Sequence, residues 1–200
     1  MARPREFDEQ GVLDAATEWF WKNGYEATSV RDLADRMGMT TASLYNAFGD
    51  KRALYRLVLD RYASVALRRC ADALGGNMPP LLGIEHFFNT IVEDALNDRL
   101  HKGCLVVNTS LEVAPHDADF REVVKQVFVR IEKYMRDCIT AGQLDGAIST
   151  KQPADDLARL LLGALLGLRV LSRTRPDAEL LTGLVRPLFL LLQSEKVVAG

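Results

Sequence analysis

Side chains that can hydrogen-bond to phosphates and to the edges of bases are concentrated in one segment of the sequence, directly after Gly38. Ala42, in the same run, could place its methyl group against that of a thymine. Leu44 and Phe48 are four residues apart, so one face of a short helix would be buried and the polar set would face outward. The pattern predicts a helix that contacts nucleic acid through Thr40, Thr41, Ser43, Tyr45 and Asn46.

A second helix must brace this one, and the residues before Gly38 provide it. Thr28 or Ser29 can cap a helix whose apolar residues recur at helical spacing, namely Val30, Leu33, Ala34 and Met37. Gly38 suits the turn because glycine adopts a positive φ without a Cβ clash, and Met39 would fill the angle between the helices. Such a pair can place its second helix in a major groove. The segment is therefore predicted to be a helix-turn-helix.

This segment resembles the signature of the TetR family of transcriptional regulators, and the similarity extends over residues 11–57. The matching positions are Gly38, Leu44, Tyr45, Phe48, Lys51, Ala53 and Leu54. The resemblance implies that Tyr45 and Lys51 contact the phosphate backbone of DNA, with Lys51 early in a fourth helix. Two positions depart from the family pattern: Thr41 stands where a basic residue is frequent, and Ala47 where an imidazole or phenol is frequent.

Charge limits how this region could hold DNA. The chain has a formal net charge of −2, and residues 1–52 contain seven Lys or Arg against nine Asp or Glu. Bulk attraction to a polyanion is therefore excluded, and a few placed cations must meet the phosphates, two of them on an N-terminal arm. The predicted DNA-contacting residues are Arg3, Arg5, Ser29, Thr40, Thr41, Ala42, Ser43, Tyr45, Asn46 and Lys51.

Helical periodicity continues to the C-terminus. A long helix from Asp50 to about Leu74 precedes a Gly- and Pro-rich break, and five further helices follow it. Pro187 is expected to kink the last helix or interrupt its hydrogen bonding. No segment alternates as a strand would, so the fold class is all-α with about nine helices in total. The predicted domains are a helix-turn-helix head at residues 1–50 and a larger body at residues 51–200.

The last two predicted helices carry more apolar surface than a single core can take. The helix from Pro153 has leucines nearly all round, and Gly163 and Gly167 would let another helix approach closely. Two such helices from each subunit can form a four-helix interface, which agrees with what the family resemblance implies. We therefore predict a homodimer through the last two helices, and an operator with two half-sites as its DNA partner.

A site for a small-molecule effector is predicted among the helices between Leu54 and Leu171, because ligand pockets are mostly apolar with a few polar anchors. Three possible anchors, Asn108, Thr109 and Glu112, are spaced to face one way on a helix. The alternative for the apolar members is a place in the core. The predicted ligand-binding residues are Phe87, Phe88, Ile91, Cys104, Asn108, Thr109, Leu111, Glu112, Phe128, Ile131 and Met135.

Cys104 follows Lys102 and Gly103 at the start of a predicted helix, where the helix dipole and a nearby cation stabilise a thiolate. TetR-type regulators with Gly-Cys at this place strengthen the interpretation. Two roles stay open: a thiol that senses electrophiles or oxidants, and a small packing residue. The three cysteines are unclustered, which indicates reduced thiols in the cytoplasm rather than disulfides or a zinc site.

Motifs of other protein classes are missing from the sequence. We find no phosphate-binding glycine loop, nucleophile elbow or metal-ligand spacing, so we predict no enzyme activity, no metal and no cofactor. The most apolar stretch, residues 157–171, is short for a membrane span and contains Arg159 and Arg169. We therefore predict a cytoplasmic DNA-binding transcriptional regulator, a repressor released from a palindromic operator by a small-molecule or electrophile inducer. The alternative is a helical adaptor that binds a ligand or partner without sequence-specific DNA binding.

Overall fold

Helices make up all the regular secondary structure of the computed structural model, which describes residues 9–194. They are α1 (Glu9–Asn23), α2 (Val30–Arg36), α3 (Thr41–Phe48), α4 (Lys51–Gly75), α5 (Pro80–Asn97), α6 (Leu105–Glu112), α7 (Ala118–Leu144), α8 (Ala154–Thr174) and α9 (Ala178–Leu192). The prediction of an all-α fold with about nine helices is confirmed for this part of the chain. The predicted arm with Arg3 and Arg5 lies outside the described residues.

Short polar side chains begin the helices around the turn. Ser29 caps α2, where its hydroxyl accepts from the backbone N–H of Asp32 and the Asp32 carboxylate accepts from the backbone N–H of Ser29. Thr40 caps α3 by accepting from the N–H of Ser43, and Asp50 caps α4 by accepting from the N–H of Ala53 at 2.7 Å. Each cap stabilises its helix by about 1 kcal/mol and sets where the helix starts.

Two helix details differ from the simplest interpretation of the sequence. Cys104 is the N-cap of α6 rather than its first residue, with extended backbone (φ −115°, ψ 124°) and no hydrogen bond from its side chain to the helix. Helix α9 continues past Pro187 to Leu192, because a proline removes only its own N–H donor and neighbouring residues keep theirs.

Two apolar cores lie along the molecule. The first joins Phe20, Leu33 and Leu44 of the first three helices to Leu105 and Phe120 of α6 and α7. The second lies among α5, α8, α9 and the C-terminal halves of α4 and α7. The packing of the head therefore continues beyond residue 50 into the body, so a displacement in the body can reach the helix-turn-helix directly.

No helix within residues 9–194 is both long enough and apolar enough to cross a lipid bilayer.

Candidate nucleic-acid interface and ligand cavity

Helix α3 presents nearly all of its side chains to solvent. Only Leu44 and Phe48 are buried, and they pack into the first core. The side chains of Thr41, Ala42, Ser43, Tyr45 and Asn46 are exposed, and Tyr45 is 48 % exposed despite its size. Two buried side chains attach α3 to the protein, and the rest of its surface is free to enter a DNA groove.

The turn before α3 has the geometry that the sequence predicted. Gly38 has φ +65°, the left-handed region in which a Cβ would be strained, and the N–H of Met39 donates to the carbonyl of Ala34 at 2.9 Å. Thr40 and Ser43 also share a hydrogen bond of 2.9 Å between their hydroxyls. The hydroxyl of Ser29 donates to the Asp32 carboxylate. Three hydroxyls of the predicted DNA-contacting set, those of Ser29, Thr40 and Ser43, are therefore hydrogen-bonded within the protein when no DNA is bound.

Lys51 braces the loop between α1 and α2. Its ammonium group donates to the carbonyls of Tyr25 and Thr28, both at 3.1 Å, and lies 4.2 Å from the centre of the Tyr25 ring. Two of its three N–H groups are thus engaged, which leaves one for a phosphate. Lys51 therefore positions the helix-turn-helix through these two carbonyls, in addition to its proposed contact with a phosphate. The sequence did not predict this structural role.

Polar contacts join α6 to α4 and to the head. The hydroxyls of Tyr55 and Thr109 share a buried hydrogen bond of 2.8 Å, and Glu112 Oε1 accepts from the backbone N–H of Glu26 at 2.8 Å. Gly24 makes room for this carboxylate, because a Cβ at its φ of +84° would lie 2.9 Å from Glu112 Oε1. Thr109 and Glu112, predicted as ligand anchors, instead connect α6 to α4 and to the head, respectively.

A third junction links α4 to α7. The Arg52 guanidinium donates to Asp117 at 2.8 and 3.0 Å and to Asp119 at 2.6 Å. These bonds from Arg52 lower the pKa of Asp117 to about 2, against a smaller opposing effect of burial and with help from the N–H groups of Phe120 and Asp119. Arg52 is therefore committed to the body and is not placed to neutralise a DNA phosphate.

The depressed pKa of Asp117 predicts a specific dependence of stability on pH. Since the ordinary pKa of aspartate is about 3.9, the stabilisation is present above about pH 4 and is lost as pH falls toward 2. In urea titrations between pH 5 and 2.5, Asp117→Asn should flatten the decline of unfolding free energy relative to wild type. The control is Asp72→Asn, at an exposed aspartate of α4, which should leave that decline unchanged. If the unfolding free energy of Asp117→Asn falls with pH as steeply as that of wild type, the prediction is contradicted.

A cavity of about 1120 Å³ lies beside the first core and reaches the second. Helices α1, α4, α5, α6, α7 and α8 and the loop before α6 contribute to its wall. Of the predicted ligand-binding residues, the structure brings Phe87, Ile91, Cys104, Phe128 and Ile131 together on this wall. Its volume slightly exceeds that of most small-molecule pockets, which span about 300–1,000 Å³.

The other predicted ligand-binding residues have different surroundings. Phe88 and Met135 are fully buried in the second core, and Leu111 is exposed to solvent away from the cavity. Asn108 donates to the Lys102 carbonyl and accepts from Arg173 at 3.0 Å, so its amide fixes the loop before α6. None of these four residues is part of the cavity wall, and neither are Thr109 and Glu112. Helical spacing predicted that Asn108, Thr109 and Glu112 share a face of α6, but it could not predict which part of the protein packs against that face.

Several wall residues were missed in the sequence. Trp21 of α1 donates from its indole N–H to the Gly103 carbonyl at 3.1 Å, and Lys102 lies over its ring. Arg61, Tyr62 and Arg169 also line the cavity. A helix of the head thus forms part of the cavity wall. The sequence could not predict these wall residues, because charged and aromatic side chains on an amphipathic helix are equally typical of a face exposed to solvent.

The three thiols differ in their surroundings. Cys104 and Cys70 both line the cavity, but Cys104 is half-buried whereas Cys70 is buried, as is Cys138 outside the cavity. Burial raises the pKa of Cys70 to about 12 and that of Cys138 to about 11. The buried pair therefore stays protonated and packs against apolar neighbours. Among the described residues, no group of three or more His, Cys, Asp or Glu side chains could hold a metal ion.

Comparisons with known proteins agree with this geometry. Residues 12–58 match the model described as bacterial regulatory proteins, tetR family, and residues 80–187 match the model described as tetracyclin repressor-like, C-terminal domain. Together the two matches cover the helix-turn-helix and most of the body.

Several relatives are named as transcriptional repressors, and one, FasR of Mycolicibacterium smegmatis, is named as an activator. The chain is 28% identical to the HTH-type transcriptional repressor ComR of Escherichia coli K12 over 88% of this chain and 85% of that protein. It is 30% identical to the repressor BdcR of the same organism over 68% of each chain. A solved structure of the regulator CifR, a cysteine mutant complexed with 26-base-pair operator DNA, superposes with a TM-score of 0.82 at 29% identity, covering 94% of this chain and 98% of that one.

Proposed function

Because the chain belongs to the TetR family of bacterial regulatory proteins, we propose that it is a homodimeric repressor that a small molecule releases from its operator. Its general class follows from the family: the chain is a DNA-binding transcriptional regulator and not an enzyme. Repression, the dimer and the effector are the proposal. Such a repressor works in the cytoplasm, where the chromosome is accessible.

The exposed face of α3 is the observation that carries the DNA-binding part. Two buried anchors hold this helix while Thr41, Tyr45 and Asn46 extend into solvent, as a recognition helix in a major groove requires. Hydroxyl and amide groups at these positions can bond both phosphates and base edges. Repression rather than activation is favoured because the relatives ComR and BdcR are named repressors.

Dimerisation is supported by two unpartnered apolar stripes. On α8, Leu160 and Val170 are exposed, and Gly163 and Gly167 between them have open space where a Cβ would stand. On α9, Leu190 and Leu191 are exposed on the turn beyond Pro187. Contiguous apolar surface of this kind marks an interface, and two helices from each subunit would form a four-helix contact. The twofold axis of that contact would match an operator with two half-sites.

The effector mechanism would use the cavity and α4. Helix α4 runs from the helix-turn-helix to the second core and lines the cavity along Tyr62 and Arg69. A ligand that moves α4, or the wall residue Trp21 of α1, would change the separation of the two recognition helices in a dimer. The half-sites would then no longer be reached together, and the protein would leave DNA.

The proposed function is tested with the DNA upstream of the protein's own gene. Binding by the purified protein is measured at two salt concentrations, with unrelated DNA of equal length as the control. Selective binding that weakens with salt, at two chains per site, is the expected result. Equal binding to both DNAs would contradict a local operator and favour the alternative of a ligand-binding adaptor.

A covalent effector is a second candidate, favoured by the position of Cys104 on the cavity wall. Treatment with N-ethylmaleimide should release wild-type protein from DNA, because an adduct there would occupy the cavity beside Tyr62. Cys104→Ser should stay bound, whereas Cys138→Ser, at a buried thiol outside the cavity, should respond as wild type does. Equal release of the Cys104→Ser protein in gel shifts would exclude a sensor role and leave Cys104 as a packing residue.

A further inference from the structure

Most charged groups on the cavity wall already have partners. Asp98 accepts from the backbone N–H groups of Leu100 and Gly103, at 3.3 and 3.1 Å. Ion pairs with N–O distances of 2.6, 3.4 and 2.9 Å join Arg61 to Asp14, Arg69 to Asp94 and Lys102 to Glu18. The three ion pairs are neutral and offer little net charge to a ligand inside the cavity, whereas the charge of Asp98 is stabilised by the backbone of the loop before α6.

Arg169 is different from these wall residues. It is half-buried on α8, and its guanidinium makes no hydrogen bond or ion pair with any residue in the described part of the chain. By contrast, Arg173, one turn later on the same helix, is held by Asn108 at 3.0 Å. The loop before α6 packs directly on this turn, since a Cβ at Gly103 would lie 3.4 Å from the Arg169 carbonyl oxygen. Among the described residues, Arg169 and the exposed Arg99 are thus the cavity-wall arginines without a counter-ion.

Tyr62 lines the same cavity as Arg169, and the charge of Arg169 acts on its hydroxyl. Burial above all, and then the adjacent Cys104, raise the pKa of Tyr62, while Arg169 and the backbone N–H of Leu105 lower it by less. Tyr62 therefore keeps its proton at neutral pH, and its hydroxyl would exchange its contact with Cys104 for a hydrogen bond to a ligand. A guanidinium and a neutral hydroxyl on one cavity wall offer donors without any acceptor charge, which suits an anion.

Much of the remaining wall is apolar. Phe87, Ile91, Phe128, Ile131 and Leu165 provide aromatic and aliphatic surface from α5, α7 and α8. Asp72, an acidic wall residue that has no ion pair in the described part of the chain, is exposed and lies ten residues after Tyr62 on α4. That spacing is about 15 Å along the helix. Arg99, exposed on the loop before α6, adds positive charge at the rim.

We propose that the cavity binds an aromatic organic anion, with its acidic group at Arg169 and Tyr62 and its rings against the apolar surface of α5, α7 and α8. This inference rests on the proposed role of the cavity as the effector site. It narrows the effector to molecules such as aromatic carboxylic or sulfonic acids, and it disfavours cations and neutral hydrocarbons of the same size.

Two fluorescent probes with the same rings test the charge preference. 8-Anilinonaphthalene-1-sulfonate carries one sulfonate, and N-phenyl-1-naphthylamine is the same phenyl-naphthylamine without it. A cavity that used apolar contacts alone would bind the neutral probe more tightly. We expect the sulfonate to bind the full chain about tenfold more tightly than the neutral probe, because charge-assisted hydrogen bonds to a half-buried guanidinium outweigh its better hydration. Equal affinities, tighter binding of the neutral probe, or binding of neither probe would overturn the proposal.

Variants then assign the preference to Arg169. Arg169→Gln should weaken sulfonate binding by about tenfold and change the neutral probe by less than about threefold. Arg159→Gln on the same helix removes an arginine that pairs with Asp156 at 2.9 Å outside the cavity, and it should leave both affinities unchanged. A preference for the sulfonate that survives Arg169→Gln would overturn the proposal.

Operator binding is measured separately, with no probe present. Loss of the anion preference with intact operator binding removes this inference and leaves the repressor in place. Intact anion preference without operator binding supports the inference and removes the proposed function.

Discussion

Replacing Ala42 with glutamate should lower operator affinity by about 100-fold or more. Ala42 is exposed in the first turn of α3, so the new carboxylate would face the DNA. Repulsion from phosphates and loss of the close contact should cost about 1.5–3 kcal/mol at each half-site, and a dimer incurs this cost twice. Fold stability should change little, because an acidic group near a helix N-terminus is favourable.

The measurement is operator affinity by fluorescence anisotropy, alongside thermal unfolding. Ala141→Glu is the matched control, since it adds the same charge at an exposed alanine near the end of α7 and should leave operator affinity unchanged. Thr41→Lys, beside Ala42, changes the charge in the opposite direction. It should raise affinity and steepen the salt dependence by about two phosphates per dimer. An Ala42→Glu protein that binds the operator as wild type does would remove α3 from the interface.

Replacing Leu190 with arginine should convert the protein to monomers and, as a consequence, abolish tight operator binding. Leu190 is 64 % exposed in the single chain, on the apolar stripe of α9. Burying a leucine contributes about 1.5–3 kcal/mol, and a twofold interface contains the residue twice. The dimer dissociation constant should therefore rise by about 100-fold or more.

Sedimentation velocity over a concentration series measures this change. Leu144, 85 % exposed on α7, provides the control, because Leu144→Arg makes the same substitution away from the α8–α9 stripes and should leave the dimer intact. Unchanged circular dichroism would show that the Leu190→Arg chain still folds. A Leu190→Arg protein that sediments as the wild-type dimer would place the interface elsewhere.

Local chemistry made much of the head predictable. Ser29, Thr40 and Asp50 cap helices because their short side chains reach backbone N–H groups within the same turn, and Gly38 turns the chain because it has no Cβ. These effects act over three or four residues, and structure that depends on such local contacts can be predicted directly from the sequence. The family resemblance then gave the class of the protein.

The cavity was only partly predictable, for the opposite reason. Phe87, Ile91, Cys104, Phe128 and Ile131 were identified as apolar or reactive residues of the body, and they do line it. Asn108, Thr109 and Glu112 share a face of α6, yet that face meets Arg173, Tyr55 and the head rather than a ligand. Helical spacing reports which side chains point the same way, and it carries no information about what stands opposite.

The sequence by itself determined the all-α architecture, the helix-turn-helix and the surplus of apolar surface on the last two helices, because each depends on periodicity or on contacts within one turn. Only the tertiary structure decided which charges are neutralised. Lys51 and Arg52 are neighbours with the same charge, but one holds the loop before α2 and the other is paired with Asp117 and Asp119. Arg169 has no counter-ion among residues 9–194 for the same reason: whether a charge is paired depends on distances between helices that are far apart in the chain.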